Sequence, residues 1–226
     1  MGGITLRIWN QMAFILAIIG VIQFILLISI AMVFYAGGNE SNPAAPGYSF
    51  LLNSLSDLGR TVAWSGKNNL ISQVLFGIAM ILWGISFAPS IQALSSLLLE
   101  LKRGRLFTKM GIIFAYICVG LLFCEVAFFP VDLQPQLHGV FAASSYFSLL
   151  VMEILYALVM LSDKNYPHKY AICFLAVAVA IINYFIFNTP LSQKLISITI
   201  SIATLVVFYN AWKMNKKRAL AYKIRL

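Results

Sequence analysis

A chain of 226 residues that is 61% apolar and only 10% charged is not an ordinary soluble domain, where roughly a quarter of residues are charged. Its net charge of +9 would suggest nucleic acid in a soluble protein, but the 16 Lys and Arg residues sit in a few connecting segments and the C-terminal tail, which is the pattern of membrane topology. The composition implies an all-α polytopic membrane protein with no nucleic-acid partner.

A spanning helix needs about 20 mostly apolar residues. The first run, about 12–36, is longer than the roughly 7–15-residue apolar core of a signal peptide and reads as a retained helix. The outer loop 37–69 follows, the longest polar segment of the chain. Its first part, "GGNESNPAAPG", is rich in turn formers and is expected to be mobile; it holds the sequon Asn39-Glu40-Ser41. Its second part, "GYSFLLNSLSDLGRTVAWSGKNN", is composed differently. A single carboxylate, Asp57, stands in an apolar frame of Phe50, Leu51, Leu52, Leu55 and Leu58.

The second run, about 70–99, carries Pro89, whose missing N–H and ring bulk predict a kink or tilt. It also contains Gly77 and Gly84, seven apart, a spacing suited to close helix contact. Four further runs lie at about 109–129, 139–161, 170–187 and 195–212, completing a six-transmembrane-helix bundle. The basic tail 213–226 is expected to lie along an anionic inner leaflet, with about 1 kcal/mol of attraction per Lys or Arg, or to serve as a topology signal alone. Cys118, Cys124 and Cys173 all fall within apolar runs, which speaks for packing and against a disulfide framework.

With both termini cytoplasmic, 13 of the 16 basic residues lie inside: Arg7, the 102–109 cluster, Lys164, Lys169 and the tail. Only Arg60, Lys67 and Lys194 remain outside, so the orientation is N-in and C-in.

Of the seven acids, Glu40 lies in the turn-rich loop, and Glu100 and Asp163 lie beside basic residues at the inner face. Asp57, Glu125, Asp132 and Glu153 have no such explanation. Glu125 precedes Pro130 by five residues, about 7–8 Å below the outer end of the third helix. Glu153 is roughly 22 Å into the fourth helix, at a different depth, where interhelical hydrogen bonding competes with a proton or ion relay. Pro130 and Pro135 bound a tight connection that brings Asp132 and His138 to the start of the fourth helix. The helix dipole there favours a neutral imidazole, able to accept a proton or bind a metal. Ser145, seven residues on, shares its face.

The outer end can thus gather Asp57, Glu125, Asp132 and His138, with Arg60 and Asn69 as donors. In a lipid-directed hydrolase or transferase, His138 would be the base and Asp132 or Asp57 would orient it. As a metal site, the same four side chains would offer carboxylates and one imidazole, a poor match to zinc. The plainer alternative is that Asp57 caps a short helix or turn, and that Asp132 and His138 cap the fourth helix. No residue pattern names a cofactor.

Two stretches, "GYSFLLNSLSDLG" and "FFPVDLQPQLHGVFAA", resemble elements of the prokaryotic multi-pass membrane family catalogued as domain of unknown function 998. The first is also similar, more loosely, to the Ser-Asp-x-Gly element of the Frag1/DRAM/Sfk1 group, some of whose members are tied to lipid remodelling. The resemblance carries over to Ser56, Asp57, Leu58, Gly59, Pro130, Asp132 and His138, and implies six helices in a prokaryotic inner (plasma) membrane with these groups at the outer face. It supplies no reaction. Three functions follow as expectations: a lipid-binding or lipid-handling site at the outer end; a proton-coupled transporter using Glu125 and Glu153; or an accessory subunit, as a homo-oligomer or in a larger complex.

Overall fold

A computed structural model of the protein describes residues 2–101, 104–163 and 166–224, with the backbone alone at 2–7, 127 and 217–224. Lys102, Arg103, Lys164 and Arg225, which enter the charge count, lie outside the described residues. The elements are helices α1 (Gly2–Phe34), α2 (Leu70–Leu99), α3 (Arg105–Phe128), α4 (Pro135–Ser162), α5 (Lys169–Phe187) and α6 (Pro190–Ile224), with a short 3-10 helix at Leu55–Gly59. Among the described residues there is no strand, only isolated bridges at Asn39–Asn42 and Val62–Asn68. All six helices are long and apolar enough to cross a membrane. Large apolar side chains such as Leu26, Val33, Ile85, Ile172, Val179 and Ile186 point outward and exposed, where a bilayer would cover them. The chain is a multi-pass membrane protein.

The helices exceed their apolar runs where local chemistry allows. α4 begins at Pro135, four residues before the expected start, because proline suits the first helical position. α6 likewise begins at Pro190 rather than near 195, and Thr189 and Ser192 cap it reciprocally: the Thr189 amide donates to Ser192 Oγ, and the Ser192 amide to Thr189 Oγ1. At its other end α6 runs through the basic tail to Ile224, a length of 35 residues or about 52 Å. No Gly or Pro follows Pro190, and Lys, Arg, Ala and Leu all favour helix, so the tail continues the α6 helix. α2 remains one helix from Leu70 to Leu99 through Pro89.

Each helix packs against its neighbours in the chain, and α6 closes against α1, so the six form a ring in sequence order. The inner half of the ring is solid. Phe14 of α1, Leu94 and Leu98 of α2, Tyr156 and Met160 of α4 and Ile181 of α5 meet there with no exposed surface. α3 and α4 approach so closely that a Cβ on Gly111 would lie 2.2 Å from Tyr156 Cε1, and the Tyr156 hydroxyl is 2.5 Å from Ser95 Oγ of α2. Gly77 and Gly84 both face α3, with Gly84 tight against the Phe123 ring. Cys118, Cys124 and Cys173 are free.

The outer half is built differently. Phe24, Ile28, Ala31 and Tyr35 of α1 and Phe76 and Ala79 of α2 pack against Leu55, Leu58 and Ala63 of the loop. The outer ends of α4, α5 and α6 contribute no buried residue to that cluster, and a gap opens between the two sides. The loop itself is ordered. The "GGNESNPAAPG" segment, expected to be mobile, is a hydrogen-bonded turn in which Asn39 Oδ1 accepts from Ser41 and Asn42, and Gly38 donates to Ala45. Asn39 is only 1% exposed, so the sequon asparagine is closed to modification in the folded protein. Gly38, at φ 82°, lies so close to Ser65 that a Cβ would come within 2.5 Å of its amide nitrogen.

Candidate functional site: a vestibule above an apolar cavity

The loop residues come first, because they form the rim. Asp57 is 5% exposed and accepts hydrogen bonds from Trp64 Nε1 (2.9 Å), Asn53 Nδ2 (3.0 Å) and the Ser54 amide (2.9 Å). The last of these is half of a capping box on the short helix. Arg60 stands 3.9 Å from the same carboxylate, lies flat over Trp64 at 4.1 Å, and donates from Nε to Val62 O. Asn69 spends its amide on the Leu58 and Arg60 carbonyls and accepts from Ala36 N. Arg60 and Asn69 are thus loop fasteners rather than free donors at a ligand site.

Asp132 does not cap α4. Its carboxylate crosses to the loop and accepts from the Thr61 amide (3.0 Å), the Thr61 hydroxyl (2.5 Å) and the Val62 amide (3.0 Å). Partial burial pushes the Asp132 carboxyl up, but the Thr61 hydroxyl and the Val62 and Thr61 amides outweigh it, and the pKa lies below its ordinary 3.8. A depressed folded value means that the tie is at full strength above the unfolded carboxylate range, near about 4, and is lost as the pH falls through the lower folded value. Protease cleavage around residues 61–62 should therefore stay constant from pH 8 to about 5 and rise only in stronger acid, as followed with an acid-tolerant protease.

His138 also departs from expectation. Its Nδ1 lies 2.9 Å from the Phe129 carbonyl and its Nε2 3.4 Å from Glu125 Oε1. The acid that meets the imidazole is Glu125, one helix away, and neither Asp132 nor Asp57. Among the described residues no group of three or more His, Cys, Asp and Glu is placed to share a metal ion, so the four expected ligands do not converge. Glu125 and His138 are 8% and 9% exposed, and that remaining surface opens inward to cavities.

Two spaces meet at this pair. An outer vestibule of about 310 Å³ is lined by Ser54, Ser56, Asp57, His138, Thr189 and Gln193, among others. Beneath it lies a narrow cavity of about 70 Å³ walled by Phe24, Phe76, Trp83, Leu122, Leu149 and Ile200. Ser56, Ala142 and Gln193 line both. The polar groups of the lower cavity include Ser56, Glu125 and Gln193 toward its outer end, and Ser145, Tyr146 and Ser197 deeper along α4 and α6. Ser145 is 4% exposed and its Oγ has no hydrogen-bond partner, although it lies on the cavity wall. From Gln193 to Ile200 the wall descends seven residues of helix, about 10 Å.

Sequence reading placed Ser56, Asp57, Glu125, His138 and Ser145 at this end of the bundle, and all five line one or both spaces. It missed Gln193, whose Oε1 accepts from the Leu55 amide at 2.7 Å, and it took Lys194 for a surface charge. Lys194 is 2% exposed, with Nζ donating to the Asn53 carbonyl and, at 3.3 Å, to the Pro190 carbonyl. The signal was the Thr-Pro pair at 189–190, which starts α6 early and carries both residues into the bundle. Glu153 is apart from the site. It is 3% exposed in a small pocket among Phe87, Ile91, Phe174 and Thr204, and its Oε2 makes no hydrogen bond, interhelical or otherwise. The chain matches no family model, no curated protein and no solved structure.

Proposed function

We propose that this multi-pass membrane protein binds a membrane amphiphile at its outer end, polar head in the vestibule and apolar part in the cavity below. The observation that carries the reading is the sharing of Ser56, Ala142 and Gln193 between a polar space and an apolar one. An amphiphile has that division in one molecule: Phe24, Trp83 and Leu149 offer its chain a wall as apolar as the bilayer it leaves, and the vestibule offers its head polar partners. A second support is a groove between α1 and α6, open toward the lipid-facing surface, which shares Phe24, Leu55 and Ser197 with the cavity. It offers a lateral entrance from the bilayer. The two stretches resembling the domain of unknown function 998 family supply Ser56, Asp57 and His138 to the vestibule lining, and that resemblance favours a prokaryotic inner membrane.

The test is direct. Purified in a mild detergent and extracted for mass spectrometry, the protein should retain lipid well above a control membrane protein. Ala142→Phe, at the throat shared by the two spaces, should reduce that lipid about tenfold, equivalent to about 1.4 kcal/mol of affinity. Val179→Phe, 65% exposed on the outward face of α5, should leave it unchanged. Equal lipid in protein and control would end this reading.

A further inference from the structure

The Glu125 and His138 pair admits a proton count from geometry alone. The Phe129 carbonyl can only accept, so His138 Nδ1 is its donor and carries a hydrogen. The opposite nitrogen, Nε2, stands 3.4 Å from Glu125 Oε1. A bare nitrogen facing a bare carboxylate in a buried setting would be repulsive, so one proton resides between them, on the acid or on the ring. In either arrangement the pair is neutral overall.

The charges around it are one-sided. The lower cavity has the Glu125 carboxyl and neither Lys nor Arg in its lining. The vestibule adds Glu40 and Asp57 and again no Lys or Arg. Of the outer cations nearby, Arg60 lies over Trp64 and stands 3.9 Å from Asp57, whose charge it offsets, and Lys194, at the lateral groove, is held on the Asn53 and Pro190 carbonyls, so Glu125 is the buried acid here left without a cation. Of the other titratable groups, Cys118 of α3 and Tyr146 of α4 share the cavity, Tyr184 of α5 lines the vestibule, and Asp57 acts on His138 from the loop. α1 and α2 present Phe24, Phe76, Met80 and Trp83, none of which titrates. The unpartnered Ser145 hydroxyl, on the wall of the lower cavity seven residues of α4 below His138, is a further open hydrogen-bonding position.

Resting on the amphiphile reading above, we infer that the site takes an amine-headed amphiphile, whose ammonium replaces the proton held between Glu125 and His138. The exchange balances. The ammonium enters with one positive charge and faces the Glu125 carboxylate; the displaced proton leaves by His138, which also lines the vestibule, to the outer medium; His138 stays neutral with its Nδ1 hydrogen on Phe129. An anionic head of the same chain length meets a carboxyl with no cation to receive it.

The test compares dodecylammonium, dodecanoate and dodecanol in calorimetric titrations of the full chain in a non-ionic detergent, repeated in two buffers of different ionisation enthalpy. Dodecylammonium should bind about tenfold or more tighter than dodecanoate, with about one proton released per amine bound near neutral pH. Glu125→Gln should abolish both the preference and the release while still binding dodecanol. Equal or tighter binding of dodecanoate, or amine binding with no proton release, overturns the inference and leaves amphiphile binding standing. Binding of none of the three probes overturns both. The release measurement on the unmutated protein decides the matter even where a variant fails to fold.

Discussion

Replacing Asp57 by Ala should cost about 3–5 kcal/mol and free the outer loop, because three donors lose a charged acceptor at once. The Trp64 indole N–H, the Asn53 amide and the Ser54 backbone N–H all converge on this carboxylate within 3.0 Å. Charge-assisted bonds contribute about 1.5–3 kcal/mol each and are not additive, so the sum is bounded by the loop's own unfolding. Asn53 is fully buried, and it also donates to the Gly38 carbonyl, so its displacement would reach the Gly37–Gly38 turn. Thermal denaturation in detergent should show a lowered midpoint, and limited proteolysis should cut between residues 37 and 69 while α2 to α6 stay intact. Asp57→Asn should be intermediate, since one side of an amide accepts and the other repels a donor. An unchanged midpoint for Asp57→Ala would mean that the loop is held by its other ties, from Asp132, Asn69, Gln193 and Lys194.

The second large effect is expected at Gly111. A Cβ there would meet Tyr156 at 2.2 Å, and Tyr156 cannot retreat, being fully buried with its hydroxyl on Ser95. Gly111→Leu should separate α3 from α4 at the solid end of the ring at a cost of about 3 kcal/mol or more, the upper range for overpacking. Gly111→Ala should cost less, and pairing it with Tyr156→Leu should recover part of the loss, as a double-mutant cycle on thermal midpoints would show. At Gly120, where nothing lies within 4 Å of the added carbon, the same change to Ala should be neutral or slightly stabilising by helix propensity.

The spans were legible where an apolar run and a helix coincide, and less so where they part. α2 matches its run from 70 to 99, and α5 differs by one residue, because polar or turn-forming residues flank both. α4 and α6 begin four and five residues early, since hydropathy registers the lipid-facing middle of a helix while Pro135 and Pro190 set its first turn. The same blind spot hid Gln193 and Lys194, which read as loop residues outside the membrane.

For the site, the rarity of carboxylates in an apolar chain singled out Asp57, Glu125, Asp132 and Glu153, and the structure finds a definite setting for each. Their partners could not be read from sequence. Asp132 binds Thr61, 71 residues away, and Gln193 binds Leu55, 138 residues away. Periodicity carries information over one helix and none over such separations. His138 shows the same limit, since its own helix predicted its depth, but only the packing of α3 on α4 makes Glu125 its neighbour.

The ring follows chain order, and that bears on how the protein is made. During synthesis α1 to α5 leave the ribosome before residues 190–200, and the outer loop is among the earliest segments to emerge. Until α6 arrives, the Asn53 carbonyl and the Leu55 amide lack their partners on Lys194 and Gln193, and the side of the ring between α5 and α1 stands open to lipid. The cavity and vestibule are therefore completed last, when α6 brings Gln193 to the wall they share. On the amphiphile reading proposed above, a lipid lodged among the first five helices at that moment would be taken in as the ring shuts.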